Sequence, residues 1–307
     1  MGVGGFDGTN ASQALSLQTV INSKQNQLVS GVDVKTINGQ SIVGSGNLVI
    51  SGGSGLWSSG TGVDSLVSPG ATGADGDYSM AAGYISDAQA DYSVALSGGT
   101  VVYNSDPQNP IDAQYGVAIG SGARVNGAHG LAFMGGTAIG DYSVAIGDSA
   151  NANEMYSTAL TGSTAAGNYS FAASTGVANA HYSTALSGGT VYGEGSLASG
   201  FENNVYGYCS AALGYKLSTY DQADGTSGTD PNAGEVALGR YNYSEQDIIF
   251  SIGCGYFDDS DPDNPQEVRE NAVAITNDGK IYIKGLGQYT GTQISGATSL
   301  QDFLNNL

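Results

Sequence analysis

Asp141-Tyr142-Ser143-Val144-Ala145-Ile146-Gly147 is the cleanest copy of a phrase that returns along the middle of the chain. Asp77-Tyr78-Ser79-Met80-Ala81-Ala82-Gly83 and Asp91-Tyr92-Ser93-Val94-Ala95-Leu96 are earlier copies. With the serine as register, copies fall at Ser79, Ser93, Gly116, Gly130, Ser143, Ser157, Ser170, Ser183, Ser196, Ser210 and Glu235. The step is 13 or 14 residues except at two insertions. One spans Gly98 to Gln114 with Asn104-Ser105-Asp106-Pro107, and the other spans Ser218 to Ala233 with Asp221, Asp224 and Asp230.

A second signal keeps the same frame. Five residues before each register position stands a small or branched aliphatic: Ala74, Ala88, Ile111, Val125, Ala138, Ala152, Ala165, Ala178, Val191 and Val205, with only Asp230 breaking the series. Two correlated periodicities are hard to obtain from composition bias, even in a chain with 49 glycines, so the period is structural. Such a step is too short for a helical hairpin and too long for a hexapeptide turn; it fits two short strands and two tight turns, a β-solenoid.

Strand alternation places the residues one and three after the serine on one face: Val94 with Leu96, Val117 with Ile119, Leu131 with Phe133, Val144 with Ile146. The serine, central alanine and glycine share the other. Size assigns the branched residues to the inside and the small residues to an outer ribbon on which a second backbone can lie. On that assignment Val144→Asp unfolds the roll. A roll so thin buries little per coil, which makes self-association the natural remedy.

The phrase Tyr-Ser-Val-Ala-Ile-Gly, with spacers such as Gly147-Asp148-Ser149-Ala150-Asn151-Ala152, resembles the head repeats of trimeric autotransporter adhesins, the YadA-like head. These repeats also occur in phage fibres. The resemblance covers roughly half the chain and implies a left-handed parallel β-roll packed as a homotrimer. Departures are the two insertions, Gly116 and Gly130 in place of serine, and the poor copies at Ser196 and Glu235.

Outside the repeat, Ala14, Leu17, Ile21, Lys24 and Leu28 follow a and d spacing for under three heptads, which predicts a short helical coiled-coil segment. Val32 to Ile50 reads as two alternating strands around Asn38-Gly39 and Gly44-Ser45-Gly46 and is similar to a connector phrase of phage fibres. Ser51 to Gly62 is a Gly/Ser joint anchored by Trp57. After the repeat, Asp247–Gly253 and Asn271–Ile283 read as strands with a turn at Asp278-Gly279, the latter resembling a module near the ends of phage fibre proteins. Ser299–Leu307 closes with Leu300, Phe303, Leu304 and Leu307 on one helical face, predicted to pack on its own trimer or onto a virion.

Charge excludes more than it proposes. Eight basic against 28 acidic residues, a formal net charge of −20, argue against nucleic acid and against anionic membranes. The acidity keeps a repetitive β surface soluble. No apolar run of membrane-spanning length occurs, and Met1 to Asn10 lacks the features of a secretion signal. Cys209 and Cys254 read as free, small residues.

Chemistry has a thin inventory. His129 occupies the slot that Tyr92 and Tyr142 fill elsewhere, and His181 also lies in a repeat copy. Tyr78, Tyr92, Tyr115, Tyr142, Tyr156, Tyr169 and Tyr182 predict an aromatic ladder along one edge, a stabiliser of stacked coils rather than a sugar-binding ridge. A glycan site, if there is one, belongs on the insertions at 98–114 and 218–233. The loop Asp258-Asp259-Ser260-Asp261-Pro262-Asp263-Asn264 carries oxygen donors for Ca²⁺ but lacks the glycine and terminal glutamate of an EF-hand, and an ordinary solvated loop is favoured.

The reading is a mainly β chain: residues 1–30 a helical attachment segment, 31–70 a β-hairpin connector and linker, 71–245 the YadA-like roll, and 246–307 a C-terminal β-hairpin module with a terminal helix. Its expected role is a non-enzymatic, homotrimeric virion fibre, on phage head or tail, with no catalytic residues, metal or cofactor. Expected partners are other virion structural proteins through one terminus and a host surface glycan or protein. The rivals are a bacterial trimeric adhesin, which should carry a secretion signal and a membrane-anchoring barrel that are not read here, and a fibre-borne glycan depolymerase acting through paired carboxylates.

Overall fold

The computed structural model describes Thr19 and residues 57–104, 111–219, 234–261 and 265–307. The heptad positions Ala14 to Leu28, the connector from Val32 to Ile50, and Asp106, Asp221, Asp224 and Asp230 lie outside the described residues. No helix among the described residues is long and apolar enough to cross a membrane.

Residues 57–307 form one unit, and most of it is a β-solenoid. Each coil contributes a three-residue strand to a 16-stranded sheet and a two-residue strand to a 10-stranded sheet. Val144–Ile146 lies between Leu131–Phe133 and Thr158–Leu160, parallel and in register, with Ala145 opposite Ala132 and Ala159. Asn151–Ala152 lies likewise between Thr137–Ala138 and Thr164–Ala165. Thirteen strands of the larger sheet, from Leu66–Val67 to Ile248–Cys254, pair in parallel; the first of the sixteen and the last two pair antiparallel. Twelve steps of about 4.8 Å make that run roughly 58 Å long.

The alternation between 13 and 14 residues is a choice of corner. In the shorter coils the chain leaves the strand through two successive left-handed residues, such as Met134 (φ 45°) with Gly135 (φ 82°) or Ser187 (φ 55°) with Gly188 (φ 81°). In the longer coils one residue is inserted between a glycine and a left-handed residue, as in Gly147 (φ 102°), Asp148 and Ser149 (φ 59°). Both corners deliver the next short strand to the same place, so the ladder register survives either length.

The interior reverses the expectation drawn from size. The register serines and the central alanines, Ala81, Ala95, Ala118, Ala132, Ala145 and their successors, are 0–2% exposed, and Val94, Leu96, Val144, Ile146 and their equivalents face outward, half-buried. The branched residues are therefore not the core, and Val144→Asp places its charge on the surface of the protomer. The reason is the cross-section. Two sheets this narrow, closed on one side by corners of three or four residues and on the other by corners of five, leave room inside for little more than a Cβ from each wall.

The departures at Gly116 and Gly130 follow from that limit. A Cβ on Gly130 would lie 2.6 Å from Cγ1 of Val125, and one on Gly116 would lie 2.9 Å from Cγ1 of Val101. At these two coils the inward valine leaves no room for a serine Cβ, whereas Val191 and Val205 are accommodated together with Ser196 and Ser210. The same logic corrects one slot: the inward aliphatic before Gly116 is Val101, fully buried, while Ile111 is half-buried in an insertion hairpin, Tyr103–Asn104 with Ile111–Asp112.

In the last copy Glu235 occupies the serine position fully buried, and the Ser244 hydroxyl donates to its carboxylate at 3.2 and 3.3 Å. The larger sheet runs on through Val236–Arg240 and Ile248–Cys254, then turns back antiparallel as Asn271–Thr276 and Ile281–Ile283 around Asp278-Gly279. The smaller sheet ends in the strand Asn204–Val205, gains one more parallel backbone bridge from Asn204 to Ser218, and is then continued by side chains. The Asn242 amide accepts from Ser218 N (2.7 Å) and donates to Ser218 O (2.8 Å), and the Asn271 amide does the same to Tyr243 at 3.1 and 2.6 Å. Each amide reproduces a strand's paired bonds, leaving no bare backbone edge at those residues. Helix Leu300–Asn305 starts at Ser299, whose hydroxyl caps Asp302 N. Its Phe303 is half-buried, whereas Leu304 and Leu307 are exposed.

Candidate functional site

The corner that precedes each register serine carries most of the chain's unusual chemistry. In Gly140-Asp141-Tyr142-Ser143, Ser143 N closes the turn onto Gly140 O at 3.2 Å. A Cβ on Gly140 would come within 2.2 Å of the Glu154 carbonyl one coil on, so the coils touch backbone to backbone there. Asp141 turns its carboxylate back onto Ala128 N at 2.8 Å; Asp77 bonds Val63 N and Asp91 bonds Asp77 N at the same distance. These carboxylates are consumed by the scaffold, each joining one coil to the one before it.

Tyr142 stands at φ 57°, and Tyr78, Tyr92, Tyr115, Tyr156, Tyr169 and Tyr182 all lie between 56° and 59°. A left-handed conformation costs an ordinary L-residue about 1–2 kcal/mol. What offsets it is ring stacking. From Tyr78 through Tyr92, Tyr115, His129, Tyr142, Tyr156 and Tyr169 to Tyr182, successive ring centroids are 4.6–5.2 Å apart and within 13° of parallel. Each contact is worth roughly 0.5–1.5 kcal/mol beyond burial, so strain and stacking are comparable. His129 takes its rung as the spacing foretold, with both faces covered, at 4.8 Å from Tyr115 and 4.6 Å from Tyr142.

The stack also decides what the ladder can bind. Sugars lie on ring faces, and here interior faces are spent on one another; the ridge offers ring edges. Only the ends differ. Before Tyr78 the equivalent residue is Asp64, and after Tyr182 it is Gly195, so those two rings each have one face without a neighbouring rung.

The second feature is the outward rank pair of the larger sheet. Val94 and Leu96, Val117 and Ile119, Leu131 and Phe133, Val144 and Ile146 line up by register with their successors as far as Phe250 and Ile252. From Met80 to Ile252 neither rank contains any of the chain's 36 charged residues, 28 acidic and eight basic; Thr158, Thr184 and Ser199 are their polar members and Ala82, Ala173 and Ala211 their small ones. Side-chain size had placed this band inside. Its true position was foreshadowed by the glycine that faces Val125, which marks an interior with no space to spare.

Other candidates are scattered. Asp75, Asp77, Asp91 and Asp112 border an open hollow with Gln89, Gln114 and Tyr103; nearby, burial raises the Asp87 carboxyl above its usual range. Among the described residues no group of three or more acidic, histidine or cysteine side chains has the arrangement to hold a metal ion. Asp258 accepts from Ser260 N at 3.0 Å, and its contacts with Ser260 hold it below the usual carboxylate range; Pro262, Asp263 and Asn264 lie outside the described residues. Cys209 and Cys254 are free thiols. His181 is exposed at a corner. Near the roll's far end Lys216 bridges Glu202 (3.1 Å) and Glu267 (2.7 Å), and Arg269 joins Glu267 at 2.9 Å. Hydrogen bonding to Glu267 and then Glu202 raises Lys216 above the usual lysine range.

Comparison with known families finds two copies of the YadA head domain repeat, at residues 74–96 and 138–160. Each matched segment contains two successive larger-sheet strands together with the short strand and corners that join them, which agrees with the β-roll. A search of curated proteins finds no match.

Proposed function

We propose that this chain is the roll-bearing segment of a homotrimeric, non-enzymatic fibre, with the outward Val, Ile, Leu and Phe ranks of three copies turned toward one another. The observation that carries this reading is the uncharged, mostly apolar band on a protomer with a net charge of −20, its polar members being Thr158, Thr184 and Ser199. Contiguous apolar patches beyond a few hundred Å² are rare on monomeric proteins, and an alanine interior supplies little burial of its own. The Asp corners and the stacked aromatic ridge then face outward as a stiff, acidic, solvated flank.

The carrier of such a fibre is a virion in our reading, supported by the resemblance of the connector and of the C-terminal hairpin to phage fibre segments. There it contributes to adsorption on a host surface. The YadA head repeats favour a second reading, a bacterial cell-surface adhesin built on the same roll. Sedimentation equilibrium on the purified full chain tests the assembly: a trimeric mass is expected, lost in Val144→Lys without loss of β-sheet circular dichroism. A well-folded wild-type monomer at micromolar concentration overturns the proposal. Antibody labelling of virions and of intact bacteria then separates the two carriers.

A further inference from the structure

We infer that the antiparallel C-terminal strands are part of the same self-association face, so that a second copy of this chain covers Val273, Ile275, Ile281 and Ile283 as well as the roll. This rests on the trimer reading and extends it to a segment outside the repeats. Register carries the argument. Phe250 lies opposite Ile275, and Ile275 opposite Ile281; Ile252 lies opposite Val273, and Val273 opposite Ile283. The two outward ranks of the solenoid therefore run on unbroken across the reversal of strand direction, still without a charged residue.

The opposite face of this segment is already used. Ala274 and Tyr282 point into a small core with Ile248 and Tyr289, against which Ile294 and Ala297 pack. The free edge of Ile281–Ile283 is also partly taken, because the Gln301 amide accepts from Ile281 N and donates to Gly279 O. What remains open is the outward face, with Val273, Ile275 and Ile281 half-buried and Ile283 at 37% exposure. The flanking charges are matched locally: Lys284 with Glu270, and Lys280 with Asp278. They claim no charged partner across the band.

Area points the same way. A band about 12 Å wide over the parallel run amounts to roughly 700 Å², and two more strands bring it to roughly 800 Å². The latter is about what each partner buries in a standard stable interface. A second copy supplies the complementary surface, since a three-fold axis along the solenoid sets the equivalent strands of all three copies at one height and brings one flank of the band against the other flank on the neighbouring copy.

The test uses the full chain carrying Ile283→Lys or Val273→Lys, with sedimentation equilibrium as readout and thermal circular dichroism as the check on folding. At least a tenfold weaker association is expected for either, with the sheet signal retained. Ile283→Ala, which brings no charge, should weaken association several-fold and keeps the test open if the lysine variants do not fold. Variants that associate as tightly as wild type, while Val144→Lys is monomeric, overturn this inference and leave the trimer reading standing. A monomeric wild type overturns both.

Discussion

The molecule has two cores built on opposite principles. Along the roll the interior is alanine after alanine, with valine at Val101, Val125, Val191 and Val205. At the C-terminal end the core is a handful of large groups: Ile248, Tyr282 and Tyr289 around Ala274, with Ile294 and Ala297. A repeat can live on Cβ atoms because each coil meets an identical neighbour above and below, so close backbone contact, ladder bonds and stacked rings recur at every step. An end has a neighbour on one side only, and must recover with bulk and with side-chain amides what the missing coil does not provide.

The strongest way to break this contrast is to put a charge into the narrow core. Ala145→Asp buries an unpaired carboxylate and should cost more than about 4 kcal/mol, abolishing cooperative unfolding in calorimetry. Val144→Asp, one residue away, should leave the protomer folded. Equal damage from both would mean that the two faces of the strand are not distinct. In the other core, Tyr289→Ala removes a ring that is 1% exposed and should cost about 3–5 kcal/mol. Hydrogen exchange should rise in 271–297 and stay slow in 130–200, as expected where each repeat is held by its neighbours.

A smaller effect sharpens the account of the ladder. Gly195 already has φ 65°, and a Cβ there meets only Cys209 Sγ, at an ordinary 3.4 Å. Gly195→Tyr adds a rung above Tyr182, but its single new stacking contact of roughly 0.5–1.5 kcal/mol is set against about 1–2 kcal/mol of left-handed strain that glycine does not carry. Stability should stay level or fall by no more than about 1 kcal/mol, read from the denaturation midpoint at unchanged slope. The smallest effects are in pH, and both arise at the C-terminal end. Hydrogen bonding from Lys216, then from Arg269, lowers the Glu267 carboxyl, so its contribution is complete above the ordinary glutamate range and lost as pH falls through the depressed value. Burial pushes the Tyr289 phenol up to about 12. Stability from it is intact below the ordinary tyrosine value near 10 and declines between about pH 10 and 12, where only the unfolded chain ionises. Denaturation midpoints at pH 3, 7 and 11 check both signs, with the parallel roll the less affected region.

Period, strand positions, ladder and even the histidine rung were legible because each depends on recurrence, which a sequence displays directly. Which face is inside was not. Alternation separates two faces but does not label them, and the habit of placing larger residues inward fails when a coil encloses only Cβ-sized space. Gly130 beside Val125 held a hint, since a Cβ there would lie 2.6 Å from the valine, but Val191 with Ser196 and Val205 with Ser210 show that the pairing is no rule that a reader of the sequence could have applied. The C-terminal hairpin was legible as a hairpin from Asp278-Gly279. Its merger into the same sheet was not, because that rests on the pairing of Ile248–Cys254 with Asn271–Thr276 across a bulged, irregular register.

The interchangeable corners make the reach of this solenoid adjustable at little structural cost. Because a coil of either size returns the chain to the same two ladders, duplicating the segment from Asp141 to Glu154 would lengthen the roll by about 4.8 Å and present every neighbour with the contacts it already has. Selection or an engineer could thus set how far the ends stand apart by counting modules, with the specialised termini left untouched.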